Sequence, residues 1–169
     1  MKMVVRLGMF TVMACMLLLG AGCADKKIEP VPTGEGIIDA SLPTLTGEAL
    51  RAADEITDAK IYFEYDKFDI KIESQRVLAR KAELLKQYPQ IKVSIQGHCD
   101  ERGTEEYNLA LGERRARAAH DFLVYSGVNP TQMEMISFGK LRPVVQGTSE
   151  SAWAQNRRDE FIVLNPRGK

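Results

Sequence analysis

Charge of one sign is what this chain most plainly lacks. Its 23 Lys and Arg offset 23 Asp and Glu, for a formal net charge of zero. A nucleic-acid binder normally carries a basic excess, so none is expected as a partner. Histidine is scarce, with only two in 169 residues. The one place where metal-ligand types cluster is His98-Cys99-Asp100-Glu101. Neighbouring side chains of an extended segment point to opposite faces, so contiguous ligands rarely converge on one ion. No metal and no cofactor is expected. No Ser/His or Cys/His arrangement offers a nucleophile with its base, which argues against hydrolytic chemistry. A membrane-spanning run is missing too. The apolar stretch over residues 7–19 is too short to cross a bilayer comfortably.

What is present begins at the front. Lys2 and Arg6 precede that apolar stretch, and small residues follow it in Leu17-Leu18-Leu19-Gly20-Ala21-Gly22-Cys23. The order of positive, apolar and small segments is that of a secretory signal. The run resembles the lipobox of bacterial lipoproteins. The resemblance implies cleavage before Cys23, a diacylglycerol thioether on its sulfur, and acylation (palmitate) of the new amine. Each buried methylene contributes about 0.8 kcal/mol, so two or three acyl chains hold firmly where one does not. Ala24, where an Asp retains such proteins at the inner membrane, implies sorting to the outer membrane. Loss of residues 1–22 removes Lys2, Arg6 and Cys15 and leaves the remainder acidic by two charges. With Cys23 acylated, Cys99 stands alone and no intrachain disulfide can form. A domain of about 110 residues must then rely on its apolar core.

Residues 23–59 read as the lipidated N-terminus and a flexible linker. Pro30, Pro32, Gly34, Gly36, Pro43 and Gly47 interrupt any period. Residues 50–56 can form a helical turn, but little is expected to cover it. Such a linker has a coil span of roughly 30–35 Å and a taut limit near ~115 Å. The globular domain is expected over residues 60–169. Aromatic-rich residues 61–65 read as a strand. Residues 73–88 carry apolar side chains at helical spacing before Pro89. Alternation over 91–97 marks a half-buried strand. A long helix is expected over 105–125, strands over 133–138 and 158–164, and a short helix over 149–156. The order β-α-β-α-β-(α)-β predicts an α/β two-layer sandwich, with a mixed four-stranded sheet and helices on one face.

The long helix carries an anomaly. At about 100° per residue, Asn108, Leu111, Arg115, Ala119 and Phe122 fall within an arc of roughly 80°. Arg114, Arg117, Glu113, His120 and Asp121 lie on the other side. Arg115 therefore sits in the apolar stripe, which is costly unless it is paired or reaches a site. Two readings stand open: a structural ion pair with an acid such as Asp100, or the floor of a pocket that takes a ligand carboxylate in a bidentate fork.

The segment upstream reads Gly97-His98-Cys99-Asp100-Glu101-Arg102-Gly103-Thr104-Glu105-Glu106-Tyr107-Asn108-Leu109-Ala110-Leu111-Gly112-Glu113-Arg114-Arg115-Ala116. With Tyr62-Phe63-Glu64-Tyr65-Asp66-Lys67, Gly139-Lys140-Leu141-Arg142-Pro143 and Asn156-Arg157-Arg158, it resembles the OmpA C-terminal-like family. The similarity runs over residues 60–164. The lipobox and linker fit lipid-anchored members, not those preceded by a membrane barrel. The resemblance implies a pocket in which Asp100 meets the ammonium, and Arg115 the carboxylate, of diaminopimelate in a peptidoglycan stem peptide. It implies secondary contacts or support from Asp66, Phe68, Asp69, Asn108, Leu111, Asn156 and Arg157. It further implies noncovalent tethering of the outer membrane to the cell wall from the periplasm. A TolB-like periplasmic protein and other Tol components, acting in envelope integrity and cell division, are implied as partners. Two departures stand out. Cys99 replaces the usual Thr, a weaker hydrogen-bond partner before Asp100. Asp159 interrupts an apolar strand and is expected to face solvent. The alternatives are a periplasmic protein-interaction module whose pocket is a structural ion pair, and a peptidoglycan hydrolase. A carboxyl paired with Arg115 would titrate low, which suits binding better than proton donation.

Overall fold

The sheet is organised around the strand that alternation marked. In a computed structural model, which describes residues 38–168, β1 (Ile61–Tyr62), β2 (Val93–His98), β3 (Met133–Gly139) and β4 (Arg158–Val163) form one sheet in the order β1-β4-β2-β3. β2 runs parallel to β3 and antiparallel to β4, and β1 is antiparallel to β4. A parallel pair needs a long crossover, and here it contains the long helix. The helices are α1 (Gly47–Asp58), α2 (Ile72–Gln87), α3 (Glu105–Tyr125) and α4 (Glu150–Asn156). Thr104 caps α3 by accepting the Tyr107 N–H at 3.2 Å, and Ser149 caps α4. The expected mixed four-stranded α/β sandwich is the observed architecture. The signal segment and Cys23 lie outside the described residues. No helix among the described residues is long and apolar enough to cross a membrane.

Val93 and Ile95 of β2 and Phe161 and Val163 of β4 pack against Leu78, Leu85, Ala116, Ala119 and Leu123 of α2 and α3. Two glycines let α3 approach the sheet backbone to backbone. A Cβ on Gly97 would stand 2.0 Å from the Gly112 carbonyl oxygen, and one on Gly112 would stand 2.3 Å from Ser137 Oγ. That approach brings Arg115, one turn beyond Gly112, over the end of β2.

The ordered fold begins earlier than the linker reading had it. Residues 47–58 form α1, which buries Ala52, Ala53 and Ile56 and packs on β4 and α2. Leu45 bridges to Arg167, with the Leu45 N–H on the Pro166 carbonyl at 2.9 Å and the Gly168 N–H on the Leu45 carbonyl at 2.9 Å. The stripe Ala49, Ala52, Ala53, Ile56 has helical spacing, but its small residues weigh little without a known surface to cover. Buried Lys81 of α2 donates to the Ile56 carbonyl at the end of α1, and its ammonium stands 4.4 Å from the Phe161 ring centroid. It answers one of the carbonyls a helix end leaves open. Burial pulls its amine down to about 7, against the pull of Asp58 and Glu55.

β1 is shorter than the aromatic run predicts. The Phe63 N–H still meets the Arg157 carbonyl at 3.0 Å, after which the chain leaves the sheet. Asp66 adopts φ +56°, a left-handed conformation that Asp tolerates better than most residues. The carbonyls of this loop go to an arginine instead of a neighbouring strand.

Candidate functional site

That arginine is Arg115, which has no solvent exposure at all. Its Nε donates to the Lys67 carbonyl at 2.8 Å, Nη1 to the His98 carbonyl at 2.9 Å and to Cys99 Sγ at 3.4 Å, and Nη2 to the Glu64 carbonyl at 3.1 Å. These bonds use four of the five N–H groups of a guanidinium. Its carbon lies 5.0 Å from the Phe63 ring centroid. Burial pulls its pKa down, while Cys99, Asp159 and Asp100 pull it back. It stays charged.

Asp100 lies two residues beyond the end of β2 and is 4% exposed. Its partner is not Arg115, so the structural ion pair considered above does not form. Oδ1 accepts from Arg102 N at 3.2 Å and Arg102 Nε at 3.2 Å. Oδ2 accepts from Arg102 Nη2 at 2.6 Å and Arg157 Nη1 at 3.2 Å. Burial pushes this carboxyl up, but the Arg102 and Arg157 bonds outweigh it and hold it below the usual carboxylate range. Arg157 also donates to the Phe63 carbonyl at 3.2 Å and to Glu150 at 2.6 Å. It backs Asp100 and ties it to α4.

Asp100 and Arg115 nevertheless line one cleft of about 190 Å³, with Tyr65, Asp66, Arg102, Tyr107, Leu111 and Arg157 around it. Cys99, Gly103 and Asn108 complete the wall. Asn108 Nδ2 donates to the Arg102 and Thr104 carbonyls at 2.8 and 2.9 Å, which fixes the loop that carries Asp100. The Tyr107 hydroxyl donates to Asp66 across the rim, and that bond raises the tyrosine's pKa. Phe68 and Asp69, expected near the pocket, are exposed and outside its lining. Asn156 is also outside: its amide holds Val144 N, Val145 N and the Val145 carbonyl at 2.8, 3.1 and 2.8 Å. It supports a neighbouring loop.

Sequence reasoning missed Arg102, Tyr65, Tyr107 and Gly103. The Arg102 guanidinium stands 3.9 Å from the Tyr65 ring centroid and 4.0 Å from that of Trp153, close enough for cation–π attraction. Trp153 is itself held by Glu101, to which its indole N–H donates at 3.0 Å. A basic residue two places after a candidate acid, in a loop too short to carry it away, is the signal that was available. Cys99 is buried, and burial pushes its thiol up to about 11. A reactive-thiol role does not fit it. Among the described residues no group of three or more His, Cys, Asp or Glu stands where it could hold a metal ion.

Asp159 does not face solvent. It is fully buried on β4, paired in register with Gly97 and Ile61. Neither carboxylate oxygen has a hydrogen-bond partner. Period two, counted from Phe161 and Val163, puts it on the helix-covered face. The chain's polarity at this one position hid that from sequence reasoning.

Comparison with known proteins bears on the family and the fold. The model of the OmpA family matches residues 62–157. A peptidoglycan-associated lipoprotein of Brucella melitensis is 42% identical over 154 residues, covering 91% of this chain and 90% of that protein. One from Pseudomonas aeruginosa is 41% identical, covering 92% and 96% respectively. The crystal structure of the peptidoglycan-associated lipoprotein from Burkholderia pseudomallei is similar at 43% identity with a TM-score of 0.62, over 64% of this chain and 92% of that one.

Proposed function

The chain belongs to the OmpA family, and on that premise we propose that it binds peptidoglycan noncovalently and tethers the outer membrane to the cell wall. The observation that carries this reading is a single cleft with a fully buried guanidinium and a nearly buried carboxylate on its walls. A diaminopimelate end presents an ammonium and a carboxylate on one carbon. Asp100 accepts from the ammonium, and Arg115 donates to the carboxylate. The site asks for one adjustment. All four acceptor positions of Asp100 are taken, three of them by Arg102. Arg102 is the more exposed of its two arginine partners, so its side chain is the one that yields to the ligand. Arg115 has one N–H left over, which makes a single strong bond the starting contact. A bidentate fork requires the loop over residues 64–67 to release a carbonyl.

At the other end, acyl chains on Cys23 fix the protein to the outer membrane, with the domain in the periplasm. Each contact is modest, but many copies facing one polymer make the attachment strong. Nothing in the cleft supports acid catalysis, since Asp100 titrates low, and binding is the activity. The exposed aromatics Tyr65 and Tyr107 line the cleft, and Phe68 and Ile72, further along the chain from Tyr65, are exposed as well. They support docking of a TolB-like periplasmic protein over the same cleft, in competition with the cell wall, as part of a Tol–Pal system.

The test is co-sedimentation of the purified protein with isolated sacculi. The protein should pellet with the polymer and release no muropeptides. Protein left in the supernatant would contradict the tethering reading, and soluble muropeptides would replace it with the hydrolase.

A further inference from the structure

Asp159 is a buried carboxyl that the binding reading does not use. It lies on β4 opposite Gly97, the residue before His98. The His98 carbonyl and Cys99 Sγ are both bonded by Arg115 Nη1. The absent side chain of Gly97 leaves the space between this strand and α3 narrow. Ile61 lies opposite on β1, and Phe161 continues the same face of β4 beneath Lys81 of α2. On the helix-covered face the charged and titratable groups that act on Asp159 are Arg115 from α3 and Cys99 from the turn after β2, and Arg158, its neighbour in β4, acts from the other face. Arg158 is engaged elsewhere, donating to Glu160 at 2.7 Å on the opposite face of the sheet. Arg115 has no carboxylate among its hydrogen-bond partners.

We propose that Asp159 is a positioning residue for the anion side of the cleft, a counter-charge behind Arg115 that competes with the ligand's carboxylate for the same guanidinium. This rests on the reading of Arg115 as the carboxylate's partner. When Asp159 is ionised, it neutralises Arg115 from within, and an arriving carboxylate meets a weaker field and a like charge. When Asp159 holds a proton, the guanidinium's charge is left to the guest. A proton on Asp159 and a carboxylate at Arg115 therefore favour each other, and the linkage is reciprocal. Burial pushes the Asp159 carboxyl well above its ordinary value, with Arg115 and then Arg158 opposing. The transition is thus placed above the usual carboxylate range, where Asp100 stays ionised throughout.

The experiment is calorimetric titration of the full-length protein with a diaminopimelate-containing stem peptide from pH 5.5 to 8.5. Wild type, Asp159→Asn and Asp159→Leu are compared. Wild-type affinity should fall about three- to tenfold with rising pH, the range of a typical coupling between two sites. Both variants should hold the acid-limit affinity across the range. A second reading comes from denaturant unfolding without peptide. The unfolded chain ionises Asp159 at its ordinary value and the folded one does not, so this residue's stabilising share is lost as pH rises through the folded value. Both variants should remove that loss. A pH-independent wild type, or a variant that keeps the wild-type slope, overturns the counter-charge. Binding with no slope fails this inference alone. Absence of binding by all three proteins at every pH fails the cleft reading with it.

Discussion

Arg115→Ala loses the cell wall and several kcal/mol of stability together. The side chain is fully buried and joins two pieces of backbone, the loop at Glu64 and Lys67 and the end of β2 at His98, while also donating to Cys99 Sγ. Truncation leaves three carbonyls without their donor and a cavity where the guanidinium stood. Each unsatisfied buried group costs about 1–3 kcal/mol, and the sum is on the order of 3–5 kcal/mol after partial hydration. The bonding makes this substitution a lesion of binding and of the fold alike. Urea unfolding should show the midpoint shift, and sacculus co-sedimentation the lost binding. Arg115→Lys separates the two. It keeps the charge without the planar fork, so it should fold and bind about 10- to 100-fold more weakly. A lysine variant that pellets as wild type would remove Arg115 from the ligand site.

Asp100→Ala is the second large effect. It removes one of the two carboxylate partners of Arg157, whose side chain is 5% exposed and which keeps Glu150 at 2.6 Å, and it removes every carboxylate contact that holds Arg102 within 3.5 Å. Because Arg157 keeps Glu150 and Arg102 is part-exposed, the stability cost is on the order of 1–3 kcal/mol. Binding to sacculi should fall at least about 100-fold, since the ligand's ammonium loses the buried carboxylate assigned to it. Asp100→Asn keeps the shape and two acceptor positions, so the stability cost shrinks while the binding loss remains. The pH dependence has a fixed sign. A carboxyl held below its unfolded value contributes stability that is present above that value and lost as pH falls through the folded one. Wild type should therefore lose this share of stability as pH falls below the ordinary carboxylate value, and Asp100→Asn should show a flatter acid limb. Equal acid sensitivity of the two proteins would contradict the assignment of Asp100.

Much of the fold was legible because its elements repeat a period. The stripe on α3 and the alternation on β2 are local signals, and the structure places a helix and a strand there. What was illegible depends on surfaces the sequence does not display. α1 packs small residues onto β4 and α2, so its stripe is weak until the partner is known. β1 ends early because Arg115, some 50 positions later in the chain, claims the Glu64 and Lys67 carbonyls. The site shows the same division. The periodicity picked out Arg115 as misplaced, and the family resemblance picked out Asp100. Neither could show that Asp100 is held by Arg102 and Arg157, or that Asp159 is sealed behind the cleft.

The central claim is that one cleft reads both charges of a diaminopimelate end. Calorimetric titration of the purified protein with two stem peptides, one ending in diaminopimelate and one with lysine in its place, tests it directly. Lysine keeps the ammonium and lacks the second carboxylate. The account predicts saturable binding of the first and at least about tenfold weaker binding of the second, the loss of one charge-assisted hydrogen bond. Equal affinity for the two peptides would contradict it.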